Sequence, residues 1–388
     1  MTDTNEPRGE HPPETAAETL TQTIRCRAET SDRKNETIVT AVEEFQTMVG
    51  YMGTMLPSIQ EHQRSTMNTH LYHMVREEFD DAELNSNLAL EAMKHAAENY
   101  LSWQELGESD ERPTLGEGAF FLLGAQNYDI VPNDQGYGLK ARIIPYEIEW
   151  FHLGVGKFQE ELLDRVVDDN DPTNAGRAEF RLDDGELWIH LPISEDVEVY
   201  EPADVDTRVG VDLGERVIYA VAVVDESGVQ EVEMEPGKEF RHHRERLNAK
   251  RKRLSEKGDL AAVRECRGER ARYTEQVTHT ASRRIVDIAA EHTPSVIHLE
   301  DLGDYQETAE DPIHHWPQGM IRRQVAYKAT GAGIPVKMVD PTNTSVTCRH
   351  CGQVDRASRE GVEFHCERCG YEVHADVNAA INIANAEL

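Results

Sequence analysis

Four cysteines near the C-terminus stand at a spacing that binds metal: Cys348-Arg349-His350-Cys351, then, after fourteen residues, Cys366-Glu367-Arg368-Cys369. Two residues between the members of each pair let both thiolates face one ion, and Gly352 and Gly370 supply the tight turn that follows each pair. The gap lets the two knuckles meet around a tetrahedral site. Four sulfur ligands leave no open position, so the zinc expected here is structural. Four buried or redox-active cysteines are the plainer alternative, which this spacing disfavours. His350, His365 and His374 lie nearby, but a complete cysteine set does not need them.

Three carboxylates sit in apolar settings where an acid is costly. Asp212 lies in Val209-Gly210-Val211-Asp212-Leu213-Gly214, on the strand face opposite Val211 and Leu213. Glu300, followed by Asp301, ends Val296-Ile297-His298-Leu299, and Asp376 precedes the apolar helical start Val377-Asn378-Ala379-Ala380-Ile381. An ionised carboxylate in such a place costs several kcal/mol unless a cation or donors compensate it. Brought together, Asp212, Glu300 and Asp376 would hold two divalent ions that activate water and stabilise the leaving oxygen of a phosphodiester. Oxygen ligands and phosphate suit Mg²⁺. Singly, each acid has an ordinary reading: a turn acid, a strand-end acid, and a helix N-cap. Their joint order along the chain is harder to obtain by chance.

The elements that must carry these residues are legible in outline. Val209–Leu213, Val217–Val224 and Val229–Met234 read as three strands in meander order, and Ser295–Leu302 as a buried strand ending in acids. Between them, Phe240, Leu247 and Leu254 recur every seven residues, and Val277, Ala281, Ile285 and Ile288 mark a second helix. A break at Lys257-Gly258-Asp259 makes the pair a helical hairpin. A helix around Ile321–Thr330 and a strand at Val336–Val339 lead into the cysteine module, with Trp316 expected as a core anchor of that helix. Upstream, Thr19–Ala28 alternates like a strand, and 35–105 has helical periodicity. Strands are expected at Ala119–Leu123, Gly138–Pro145, Arg177–Leu182 and Glu186–Pro192, before a linker at Glu201–Asp206.

Charge is the unusual bulk property of these 388 residues. Forty basic against 73 acidic residues give a net charge of −33, which would repel a polyanion. From Lys238 to Arg284, however, 15 Lys and Arg stand against 7 Asp and Glu, a net of +8 that leaves −41 for the remainder. A basic island inside an acidic chain argues for a polyanionic partner there, and general acidity for a surface adapted to high salt. Arg244, Arg246, Lys250, Arg251, Lys252 and Arg253 are the residues expected to grip a phosphate backbone, with Arg322 and Arg323 weaker candidates. A solvated helix face with Glu–Arg pairs is the bland alternative. The polar start, without a signal-peptide pattern, and the lack of a long apolar stretch suggest a cytoplasmic protein with no membrane partner.

GVDLGERV, the basic hairpin, SVIHLEDL, the run from His315-Trp316 to Ala329, Asn343-Thr344-Ser345-Val346-Thr347-Cys348 and ADVNAAINIA, in this order, resemble the TnpB/OrfB family. These insertion-sequence proteins, often called transposases, are similar to the ancestors of type V CRISPR effectors. The resemblance runs from about Thr207 to the C-terminus. It implies that Asp212, Glu300 and Asp376 form a RuvC-like site and that Cys348, Cys351, Cys366 and Cys369 form a zinc ribbon. It further implies an RNA-guided endonuclease that cuts double-stranded DNA beside a short transposon-associated motif, with a guide RNA from the same mobile element. Ala375 stands where relatives often carry a basic residue.

The expected fold class is therefore α+β: an RNase H/RuvC-like core (207–345 and 373–388) with an inserted helical hairpin and a zinc ribbon (346–372). A β-rich, wedge-like module (19–34 and 106–206) carrying a helical, recognition-like insertion (35–105) precedes it, after a disordered tail (1–18). A DNA-joining transposase and a non-cleaving nucleic-acid-binding regulator remain as alternatives to the nuclease.

Overall fold

The computed structural model describes residues 14–56, 71–75, 77–79, 86–105, 115–301 and 317–386. The chain forms two compact units, one of 21–196 and one of 1–20 with 197–388.

The first unit is built on an eight-stranded sheet. In chain order its strands are β1 (Thr15–Glu29), β2 (Phe120–Leu123), β3 (Tyr128–Asn133), β4 (Gly136–Ala141), β5 (Glu149–Gly154), β6 (Asn174–Ala175), β7 (Ala178–Asp183) and β8 (Glu186–Tyr200). They lie in the order β2-β7-β8-β1-β5-β4-β3, with β6 beside β8. Helices α1 (Asp32–Met55) and α2 (Ser86–Glu105) pack together, and α3 (Lys157–Val166) follows β5. The stripe Ile38, Val42, Phe45, Met48, Val49 and Met52 of α1 is buried, as its three- and four-residue spacing requires.

Several expectations are corrected here. Strand β1 starts at Thr15, not Thr19, so 15–18 are not part of a disordered tail; 1–13 lie outside the described residues. One backbone and one side-chain bond hold the start of this polar stretch: Glu201 N–H donates to Glu14 O at 2.8 Å, and Thr15 Oγ1 to Glu198 Oε2 at 2.8 Å. Strand β4 ends at Ala141, and β8 runs past Pro192 to Tyr200. Proline lacks only the N–H, and its carbonyl still accepts from Gly176 N–H at 2.8 Å. Strands β3 and β5 carry too few alternating apolar residues to be read in advance; helix α3 is not among the expected elements either, although Phe158, Leu162, Leu163 and Val166 recur along it at helical spacing.

In the second unit, β9 (Thr207–Asp212), β10 (Val217–Asp225), β11 (Gly228–Pro236), β12 (Ser295–Glu300) and β13 (Val336–Val339) make a sheet ordered β11-β10-β9-β12-β13. The meander β9–β11 is antiparallel, whereas β12 runs parallel to both β9 and β13. Helices α4 (Lys238–Glu256) and α5 (Leu260–Glu291) are the expected hairpin, broken at Lys257–Asp259. Asp259 caps α5 by accepting from Ala262 N–H at 3.0 Å. Helix α6 (Gln318–Gly331) follows, its approach through Trp316 lying outside the described residues. The cysteine module holds β14 (Arg359–Glu360), β15 (Glu363–His365) and β16 (Glu372–His374), and α7 (Ala375–Ala384) ends the described chain.

This sheet is covered on both faces. Val209, Val211, Ile297 and Leu299 pack with Phe240, Ile285, Ile288, Ile321 and Val325 from α4, α5 and α6. On the other face, Ala220, Ala222 and Val224 meet Val377, Ala380, Ile381 and Ala384 of α7. Burial on both sides explains why β10 reads as an unbroken apolar run instead of alternating. Helix α7 lies on the backbone of β9. A Cβ at Gly210 would stand 2.1 Å from Ala380 O and 2.4 Å from Ala384 N, closer than any side chain allows. His298, the register partner of Gly210, donates from Nδ1 to Ile383 O at 3.1 Å and ties the same helix to β12.

Gly210→Ala should therefore lift α7 from the sheet and lower stability by roughly 1–3 kcal/mol, the usual cost of overpacking. Denaturant unfolding of the variant checks this, and an unchanged midpoint would refute the close contact.

Candidate active site and cysteine centre

Strand parity places the acids. Val209 and Val211 face the α4–α6 core, so Gly210 and Asp212 face α7; Ile297 and Leu299 face the same core, so His298 and Glu300 also turn toward α7. Because β9 and β12 are parallel with Leu299 opposite Val211, Asp212 and Glu300 emerge together at the carboxyl ends of adjacent strands. Asp376 stands in the first turn of α7, on that face of the sheet. In parallel sheets this end is where ligands bind.

The three carboxylates share one electrostatic environment. Burial, then the nearby charges of Glu300 and Asp376, push the Asp212 carboxyl up to about 7, against the opposing pull of Arg359. Glu300 is also raised by burial, although Thr344 and Arg359 oppose the shift. Thr344 Oγ1 donates to Glu300 Oε1 at 2.5 Å. Asn382 Nδ2 in turn donates to the carbonyls of Thr344 and Thr347, each at 2.7 Å, so α7 fixes the loop that holds Glu300. Among the described residues no donor hydrogen-bonds to the Asp212 carboxylate, a deficit that a divalent cation would meet. The carboxylates do not themselves form a closed ligand set. Among the described residues, the group whose ligand atoms all lie within 4.8 Å of one another is the four cysteines.

Arg359 is the residue that sequence reasoning did not find. It opens β14 inside the cysteine module, and its Nη2 donates to Asp376 Oδ1 at 2.7 Å. Its charge acts on all three acids, yet in the sequence it is one of several arginines near the cysteines. Only the return of the module onto α7 distinguishes it. Arg322, a weaker candidate, donates from Nη1 to Glu300 O at 3.2 Å.

The cysteines form the centre that their spacing suggests. Cys348 and Cys369 sulfurs are 3.7 Å apart, and Cys351 and Cys366 sulfurs 3.6 Å. Sulfurs bound at ~2.3 Å to one tetrahedral ion would be about 3.8 Å apart, so the cluster fits structural zinc. The two knuckles are alike. Gly352 and Gly370 have φ of 71° and 72°, and each N–H returns to the carbonyl of the first cysteine, Cys348 or Cys366, at 2.8 Å. Arg349 N–H donates to Asn378 Oδ1 at 3.1 Å, joining the first knuckle to α7.

The basic island is partly used internally. Arg244 is nearly buried, pairs with Glu215 and lies over the Phe240 ring. Lys250 pairs with Glu269 at 3.1 Å, and Arg246 bonds to His243 at 3.2 Å. Arg251, Lys252 and Arg253 are exposed.

Two outcomes follow. The Asp212 proton is held more tightly in the folded chain than at the ordinary carboxyl value near ~4. Its contribution to folding is full below that value and is lost as pH rises through about 7. In Mg²⁺-free buffer, Asp212→Asn should melt higher than the parent at pH 8, with the gap closing toward pH 4.5; a variant less stable at pH 8 contradicts this. For the cysteine centre, elemental analysis should give one zinc per chain, and Cys366→Ser should lower both zinc content and melting temperature.

No helix among the described residues is long and apolar enough to cross a membrane. Residues 319–383, from α6 through the cysteine module into α7, match the family described as Cas12f1-like, TNB domain. The CRISPR-associated endodeoxyribonuclease Cas12f1 of Sulfoacidibacillus thermotolerans is 30% identical over 247 residues, covering 60% of this chain and 57% of that protein. A TnpB-like protein of Aquifex aeolicus is 37% identical over 73 residues, 18% of this chain and 24% of that protein. The chain thus spans little more than half the length of the first relative and less of the other. Among solved structures, the mini-RNA-guided endonuclease CRISPR-Cas_phi3 superposes with a TM-score of 0.60 at 10% identity, covering 94% of this chain and 92% of that one, a likeness of fold. In the order of its motifs, its five-stranded sheet and its cysteine module, the chain is similar to these Cas12f1 and TnpB-like proteins.

Proposed function

We propose that this protein is a transposon-associated, RNA-guided DNA endonuclease that hydrolyses phosphodiester bonds at Asp212, Glu300 and Asp376. The observation that carries the reading is the exit of Asp212 and Glu300 side by side from parallel strands, under the helix that bears Asp376. Their mutual repulsion and burial are costly in an empty site and useful around cations. The three carboxylates would hold two Mg²⁺ ions, which supply water activation and leaving-group stabilisation when bound. Thr344 and Asn382 orient Glu300, while β9 and the first turn of α7 fix Asp212 and Asp376. Arg359, released from Asp376 as cations take over the carboxylate charge, would be free to donate to a phosphate oxygen. DNA as substrate and a guide RNA as partner are proposed from the relatives' names, the Cas12f1 endodeoxyribonuclease and the RNA-guided Cas_phi3.

The experiment is to purify the full chain, sequence the RNA that accompanies it, and follow cleavage of matching duplex DNA with and without Mg²⁺. Asp212→Ala, Glu300→Ala and Asp376→Ala should each lower cleavage at least ~100-fold while DNA binding persists. Arg359→Ala should slow cleavage with less effect on binding, and Arg359→Lys should restore part of the rate. Cleavage that survives loss of Asp212 would refute the site, and binding without any cleavage would favour a regulator. Ligated products would favour a DNA-joining transposase.

A further inference from the structure

Strands β9 and β12 part where their acids begin. Their parallel pairing runs from Thr207 beside Ser295 to Val211 beside Leu299 and stops there. Asp212 is still paired on its outer flank with Ala220 of β10, and Glu300 with Val339 of β13. Each acid is thus tied to its own side of the sheet, and no register pair joins the two sides at the level of the carboxylates. The width of this seam matters, because a metal site tolerates only ~0.5 Å of error in the placement of its ligands.

Helix α6 spans the seam from the face opposite α7. Ile321 and Val325 seat it in the core with Val211 and Leu299. Gln318 and Arg322, four residues apart and so on one side of the helix, reach the strand ends. Gln318 Nε2 donates to Leu213 O at 2.7 Å, one residue past Asp212, and Arg322 Nη1 donates to Glu300 O at 3.2 Å. Both acceptors are main-chain carbonyls, which lie in the plane of the sheet and leave the acid side chains free to face α7. Arginine has no acceptor to offer a cation, and the bond to Glu300 O turns a candidate phosphate contact into a support for the strand. Two side chains of one helix, holding the main chain on both sides of an opening, fix its width.

We infer that Gln318 and Arg322 are positioning residues that set the separation of the Asp212 and Glu300 carboxylates across the β9–β12 seam, and with it the affinity of the site for divalent cations. The inference deepens the endonuclease reading above and rests on it for the identity of the site, but its test needs no nucleic acid.

The test is Mn²⁺ binding by the zinc-loaded full chain, followed by electron paramagnetic resonance in high salt, which suppresses loose binding to the acidic surface. Mn²⁺ takes the same oxygen ligands as Mg²⁺, and the Asp212→Asn chain gives the background to subtract. Gln318→Leu and Arg322→Met should each weaken Mn²⁺ binding at least about threefold, the loss of one hydrogen bond, and the pair together at least ~10-fold. Arg322→Lys, whose ammonium can still donate, should recover part of the loss. Lys328→Met is the control for a merely loosened helix, because it removes bonds from the far end of α6 to His279 O at 2.9 Å and Ser282 Oγ at 2.6 Å. It should lower the melting temperature but change Mn²⁺ affinity less than about twofold. A double variant that melts lower yet binds Mn²⁺ as the parent does overturns the inference, as does equal weakening by Lys328→Met. Parent binding no stronger than that of Asp212→Asn overturns the inference and the site together. If the parent cuts DNA and the double variant needs no more Mg²⁺ to do so, the clamp fails alone; if Mn²⁺ affinity follows Gln318 and Arg322 while nothing is cut, the endonuclease reading fails alone.

Discussion

Helix α7 touches the backbone of β9 at Gly210, and the arrangement of the acids depends on that contact. With only hydrogen on the Gly210 α-carbon, the Ala380 carbonyl and the Ala384 amide come down onto the strand. A side chain there would raise the helix, and with it Asp376, from the ends of β9 and β12. The small residues Ala380 and Ala384, and the bond from His298 to Ile383 O, serve the same approach from both partners. A packing constraint far from solvent thus decides where a negative charge stands.

The second constraint is electrostatic. Three carboxylates at one end of one sheet face repel each other, and burial raises both Asp212 and Glu300. The chain answers with one cation of its own, Arg359, carried by the cysteine module. That gives the ribbon a task beyond its own stability. The four sulfurs fix the knuckles, Arg349 and Asn378 bind the first knuckle to α7, and β14 then presents Arg359 to Asp376. Losing the ion at the cysteines would loosen a charge that the carboxylates need.

The distribution of arginines extends the same logic across the molecule. In a chain of net −33, several described arginines pair with a carboxylate, among them Arg25, Arg142, Arg177 and Arg284, and Arg244 and Lys250 of the basic island are spent in this way.

Residue type and spacing alone established the knuckle pairs, the apolar strands around Asp212 and Glu300, and the hairpin broken at Gly258, because each is set by local periodicity or turn chemistry. Strand parity also told that Asp212 takes the face opposite Val211 and Leu213. The tertiary structure alone decided that β12 lies parallel to β9, that α7 closes on Gly210, and that Arg359 reaches Asp376, since these join residues far apart in the chain whose local patterns are indifferent to their partners. Weakly patterned strands such as Tyr128–Asn133 and Glu149–Gly154 stayed illegible for a related reason: neighbouring strands in the sheet, not their own side chains, hold them extended.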